Sequence, residues 1–291
     1  MGSTNCLVVG CGYLGRRVAQ AWREEGFSVW ATTRSNARAE ELAANGIEPV
    51  ILDVAEPVAP GRLPKVDRVL FAVGFDRSGP YTQDQVYVAG IRHLLAGLVV
   101  SPRQFIYISS TGVYGQTDGE WVDETSPTEP TRPGGKCCLA AEASVLSHPR
   151  ARHGLILRLA GIYGPERVPY LDKLRAGEPL PVATEGFLNL IHVDDAVRVV
   201  QACPIEIESP QIFTVSDGHP VRRKDYYDEI GRLLGLTVSY APVNPDSSRA
   251  ARSLGSKRVS NATMLDQLEV QLEYSCYQKG LEQILVVPDA G

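Results

Sequence analysis

Asn5-Cys6-Leu7-Val8-Val9-Gly10-Cys11-Gly12-Tyr13-Leu14-Gly15-Arg16-Arg17 is the stretch that decides the fold. A short apolar run feeds Gly10-x-Gly12-x-x-Gly15, and Leu14, Val18, Ala21 and Trp22 then recur at helical spacing. Strand, glycine turn and helix in that order make the dinucleotide-binding fingerprint. Gly10 allows the tight turn off the strand, Gly12 lets the backbone approach a pyrophosphate, and Gly15 lets helix and strand pack closely. Tyr13 and Leu14 share the turn. The helix N-terminus that follows offers partial positive charge to the phosphates.

Working outward, Gly26 closes that helix and Phe27–Thr33 reads as a second buried strand. Its end selects the cofactor. An acid there bonds a ribose 2′-hydroxyl, whereas an Arg attracts a 2′-phosphate. The residues are Thr32-Thr33-Arg34-Ser35, with no acid, so NADP(H) is favoured and NAD(H) is the alternative. A helix over 37–45 and a strand over 47–52 follow, ending in Asp53-Val54. The Asp53 carboxylate can accept from an adenine amino group or cap its own turn. A fourth strand, 66–73, ends in Ala72-Val73-Gly74, and these residues join the expected cofactor set.

A long helix is expected over 81–100 and a fifth strand over 104–108. That strand ends in Ser109-Ser110-Thr111-Gly112-Val113-Tyr114-Gly115. Hydroxyls at the carboxyl end of a central parallel strand sit where such folds bind ligands. Ser109 is assigned to the cofactor, and Ser110, Thr111 and Tyr114 to catalysis. The polar loop Gln116–Pro133 is expected to cover a site. A helix over 136–147 and a sixth strand, 155–159, lead to Ala160, the last expected cofactor residue. Strands alternating with helices predict a doubly wound α/β Rossmann-type sheet over residues 1–163. Beyond it the alternation is irregular. Residues 164–291 read as a smaller substrate lobe, with 186–220 returning to the first domain.

A net charge of −5 argues against a nucleic-acid surface, and no apolar stretch reaches the length of a membrane span. Neither a signal peptide nor a myristoylation pattern is read at the N-terminus. Six cysteines without CxxC pairs or zinc spacing predict reduced thiols, no metal site and a cytoplasmic location. In His192-Val193-Asp194-Asp195 the acids read as helix-start residues rather than metal ligands. Arg249, Arg252, Lys257 and Arg258 form a basic stretch, either a solvated loop or a seat for an anionic substrate such as a phosphorylated sugar.

The glycine motif, Ile-Ser-Ser-Thr-Gly-Val-Tyr-Gly, Leu-Arg-Leu-Ala-Gly-Ile-Tyr-Gly-Pro, His-Val-Asp-Asp and Gly280-Leu281 agree in order and spacing with one family. The chain resembles an extended short-chain dehydrogenase/reductase of the NAD-dependent epimerase/dehydratase type. The resemblance implies a seven-stranded parallel sheet, a C-terminal substrate lobe, a small-molecule substrate and a homodimer built on the helices at 81–100 and 136–147. It implies hydride chemistry with a Tyr base, a Lys four residues later that lowers the phenol pKa, and a Ser or Thr, here Ser110, on the reacting oxygen. Aligning Leu139-Ala140-Ala141-Glu142 with the family pattern puts Gly134 at the Tyr position and Cys138 at the Lys position. Tyr87 falls on the helper Asn. The chain therefore resembles the atypical branch that lacks the dyad. Such a protein is either an enzyme using other acid/base groups or a non-catalytic NADP(H) sensor with a protein partner.

Overall fold

Cys6–Val9 has no polar side chain to offer water, and all four residues are fully buried. That is the pattern of a parallel strand covered on both faces. In the computed structural model, which describes residues 4–208, 210–243 and 255–286, this run lies inside a seven-stranded parallel sheet. The chain runs β1 (Asn5–Val9), α1 (Tyr13–Glu24), β2 (Ser28–Thr33), α2 (Asn36–Ala44), β3 (Glu48–Ile51), β4 (Arg68–Phe71), α3 (Gly90–Gly97) and β5 (Gln104–Ser110). It continues through β6 (Glu120–Val122), α4 (Pro133–Ser147), β7 (Gly154–Leu159), β8 (Gly161–Tyr163), α5 (Leu171–Arg175), β9 (Phe187–Leu188), β10 (Leu190–His192) and α6 (Val193–Ala202). β11 (Gln211–Val215), β12 (Val221–Arg222), α7 (Arg223–Leu234), β13 (Lys257–Val259), α8 (Ala262–Leu268) and α9 (Tyr277–Leu285) complete it.

The sheet order is β11-β7-β5-β4-β1-β2-β3. The order departs in opposite directions from β1 and β4, so a crevice opens at their carboxyl ends. Register pairs Val8 with Ala31 on β2 and Val9 with Phe71 on β4. Helix α1 buries Leu14, Val18, Ala19 and Trp22. The helix expected over 81–100 is divided: a π-helical turn, Gln85–Ala89, precedes α3. Such turns occur often at functional sites.

The chain forms two compact units. The first comprises Met1–Val113, Pro133–Arg158 and Val197–Phe213. Its core includes Leu7, Val9, Phe71, Ile91, Leu94, Phe105 and Ile156. The second comprises Tyr114–Arg132, Leu159–Ala196 and Thr214–Gly291, with a core that includes Tyr163, Leu180, Tyr226, Ile230 and Leu281. The segment expected to be a bare covering loop belongs to this second unit. Its strand β6 pairs in parallel with β13, Glu120 opposite Lys257 and Val122 opposite Val259.

Candidate functional site

The glycine turn is built by close approach. Gly10 has φ +90°, and a Cβ there would lie 2.6 Å from the Val73 backbone. A Cβ on Gly15 would lie 2.2 Å from the Gly10 carbonyl oxygen. The β1 turn, the β4 end and α1 are thereby pressed together, while at Gly12 a Cβ would meet nothing within 4 Å. Gly12 is the N-cap of α1, with no side-chain cap and no acid in the first turn. The helix N-terminus therefore has room beside it and no carboxylate of its own, which suits an anion. Burial pushes the Cys11 thiol up to about 11, so it adds no negative charge to the turn. Thr32, read from the sequence only as part of the β2 end, holds the turn: its Oγ1 accepts the Gly10 N–H at 3.1 Å.

At the neighbouring strand ends, Thr33 Oγ1 accepts the Ser35 N–H at 3.3 Å, and Ser35 Oγ caps α2 by accepting from Arg38. Arg34 is half exposed and lies 3.6 Å from the Asp76 carboxylate. Asp53 Oδ1 accepts the Ala55 N–H at 3.0 Å, the turn-capping role. Val54 is buried against Gly90, and its carbonyl meets His93 Nδ1 at 3.0 Å. Ala72 continues β4, donating its N–H to Val9 O at 2.8 Å, and Gly74 is exposed.

The end of β5 is anchored by a buried network. Ser109 Oγ donates to Glu142 Oε1 at 2.6 Å, and Arg158 grips the same carboxylate through Nε at 3.1 Å and Nη2 at 2.8 Å. Glu142 and Arg158 are almost fully buried, so each charge depends on the other. Ser110 Oγ accepts the Gly112 N–H at 3.0 Å, which leaves its proton to donate elsewhere. Thr111 is buried beside it. The Tyr87 hydroxyl accepts the Phe75 N–H at 3.2 Å, and burial raises its pKa. Gly134 lies at the start of α4, where a Cβ would press on the Gln83 amide at 3.1 Å. Cys138 is buried one turn on.

In the second unit, the Tyr114 hydroxyl donates to the Asp123 carbonyl at 2.7 Å, and the Ala160 N–H donates to Val215 O at 2.8 Å. Lys257 Nζ donates to Tyr114 O at 3.1 Å. Burial, then the charges of Arg132 and Arg223, bring its pKa down to about 8. Arg223 donates to Glu185 O at 2.6 Å and Gly255 O at 2.7 Å. Arg258 donates to Gly119 O at 2.6 Å and stacks over Trp121 and Phe187. Carbonyls and rings hold Arg223, Lys257 and Arg258, and among the described residues no carboxylate pairs with any of them. Arg249 and Arg252 lie outside the described residues.

The acids of His-Val-Asp-Asp divide. Asp194 is half-buried, with its Oδ2 3.6 Å from His192 Nδ1. Asp195 is fully buried and accepts the N–H groups of Glu273 and Tyr274, each at 2.8 Å. Both acids lie in the first turn of α6, as the sequence led one to expect, and Asp195 in addition ties down the segment before α9, a long-range partnership that local spacing does not reveal. All six cysteines are free thiols. Among the described residues no group of His, Cys, Asp and Glu has the geometry to hold a metal ion, and no helix is long and apolar enough to cross a membrane.

Residues 6–215 match the model of the NAD dependent epimerase/dehydratase family. The chain belongs to that family. Protein YeeZ of Escherichia coli (strain K12) is 29% identical over 277 residues, covering 92% of this chain and 95% of YeeZ. A functionally unknown conserved protein from Silicibacter pomeroyi DSS is 30% identical, with a TM-score of 0.81 over 98% of this chain and 99% of its own. The epimerase/dehydratase fold also recurs in MoeE5, solved in complex with UDP-glucose and NAD. MoeE5 is 20% identical, with a TM-score of 0.79 over 97% of each chain.

Proposed function

We propose that this epimerase/dehydratase-family chain binds NADP(H) in preference to NAD(H) and works as an oxidoreductase or epimerase on a small polar, anionic substrate without the usual Tyr/Lys dyad. The observation that carries the cofactor reading is the open, uncapped turn at Gly12 beside a half-exposed Arg34, with no acid at the end of β2. Gly10, Gly12, Tyr13, Leu14 and Gly15 would hold the pyrophosphate. Thr33 and Arg34 would meet the adenosine ribose. Asp53, Val54, Ala72, Val73, Gly74, Ser109 and Ala160 would line the rest. When bound, the nicotinamide supplies or accepts a hydride.

Ser110, Thr111 and Tyr114 are the proposed reaction-side residues. Ser110 Oγ, already accepting from Gly112, would donate its own proton to the reacting oxygen. The Tyr114 hydroxyl donates to Asp123 O, which fixes the orientation of its ring. Lys257, Arg223 and Arg258, which have no carboxylate partner among the described residues, support an anionic substrate class. The same class fits the dTDP-glucose 4,6-dehydratase of Streptomyces griseus, 26% identical over 190 residues.

Gly134 and Cys138 favour a second reading. With glycine and a buried thiol aligned to the dyad, the chain would be a non-catalytic NADP(H) sensor. Titration calorimetry with NADP(H) and NAD(H) side by side tests the cofactor. Tighter NADP(H) binding, weakened in Arg34→Ala, is expected, and equal affinities unaffected by that change would overturn it. Ser110→Ala should then cost about 10²- to 10⁴-fold in turnover on a substrate found by screening. Cofactor-dependent capture of a partner without any turnover would decide for the sensor.

A further inference from the structure

Arg34 follows β2 and Asp76 follows β4, and these two strands flank β1 on either side. Their 3.6 Å ion pair therefore joins the strand ends across the carboxyl end of β1, where the glycine turn lies. Asp76 is held in place. Its Oδ1 accepts the Ser78 N–H at 3.0 Å and the Ser78 hydroxyl at 2.6 Å, which leaves Oδ2 for Arg34. Those Ser78 bonds, and then the guanidinium, keep the carboxyl below its ordinary range, so it is ionised at neutral pH. Among the described residues Arg34 has no other ion-pair partner.

We propose that Asp76 is a specificity-determining residue of the dinucleotide site, opposing a ribose 2′-phosphate by occupying Arg34 and by its own charge. The proposal rests on the reading of Arg34 as the phosphate-binding cation. A 2′-phosphate carries nearly two negative charges at neutral pH and must reach the guanidinium beside a carboxylate. A 2′-hydroxyl, by contrast, can donate to that carboxylate. The two residues thus pull in opposite directions. Arg34 favours the phosphate and Asp76 the free hydroxyl, so the wild-type chain discriminates only modestly and admits both dinucleotides. Both side chains are about half exposed, so water and salt screen the repulsion. At roughly 6 Å in a high dielectric, it weakens binding of the phosphorylated ribose by about threefold to tenfold.

The test uses 2′,5′-ADP and 5′-AMP, which differ only in the 2′-phosphate, titrated calorimetrically into the full-length wild type, Asp76→Asn and Arg34→Ala at low salt. In Asp76→Asn the affinity ratio of 2′,5′-ADP to 5′-AMP should rise by about threefold to tenfold, and the rise should shrink in concentrated salt. An unchanged or smaller ratio in Asp76→Asn overturns the proposal, as does an equal loss of affinity for both ligands. An unchanged ratio in Arg34→Ala instead overturns the underlying reading of Arg34. A wild type that binds neither ligand overturns both.

Discussion

Replacing Asp217 by Asn removes a charge that the fold does not solvate. Asp217 is 3% exposed, its Oδ1 accepts the His219 N–H at 2.9 Å, and its Oδ2 has no hydrogen-bond partner among the described residues. Burial, reinforced by the nearby Asp195, pushes its pKa from the ordinary 3.8 to about 7. Between those values the native chain keeps a proton that the unfolded chain has released. Stability therefore falls as pH rises, by at most about 1.4 kcal/mol per pH unit. Across the whole interval the loss approaches about 4 kcal/mol and is complete above pH 7. Asn keeps the Oδ1 acceptor and cannot ionise. Any effect of the substitution on packing is the same at all pH values, and only the charge gives a slope. Urea unfolding of both proteins at half-unit steps from pH 5 to pH 8.5 should show the advantage of Asp217→Asn growing by about 3 kcal/mol up to pH 7 and then levelling. Parallel stability profiles would refute the argument, since they would mean that Asp217 is already ionised and solvated in the native chain.

Gly10→Ala should lose dinucleotide binding in calorimetry and cost roughly 1–3 kcal/mol in unfolding experiments, because φ +90° and the 2.6 Å approach to Val73 both exclude a Cβ. Glu142→Ala leaves Arg158 buried without its counter-charge, and thermal unfolding should register about 3–5 kcal/mol of destabilisation. Tyr114→Phe should cost about 1 kcal/mol through loss of the bond to Asp123, with dinucleotide affinity unchanged by titration. With its amines reductively methylated with ¹³C, the protein should show one lysine, Lys257, titrating near 8. Inorganic phosphate should raise that value if the cationic group seats anions, and Lys257→Gln identifies the resonance.

The sequence alone determined the fold class. Apolar runs such as Cys6–Val9 allow only a covered strand, and the periodicity of Leu14, Val18 and Trp22 allows only one helix face, so the parallel sheet was legible residue by residue. The glycine turn was legible because its three glycines lie within a few positions of one another, whereas the Val73 backbone that presses on Gly10 and the Thr32 hydroxyl that holds it come from other strands. What only the tertiary structure decided are partnerships between distant segments. Ser109, Glu142 and Arg158 meet because three elements converge. Asp195 spends its carboxylate on Glu273 and Tyr274, nearly eighty residues away. Asp76 reaches Arg34 from another strand end, Tyr114 turns its hydroxyl to Asp123, and β13 makes a sheet neighbour of the segment read as a covering loop. Local spacing fixes backbone conformation and which face is apolar, whereas the charge opposite a given side chain depends on chain crossings that carry no short-range signal.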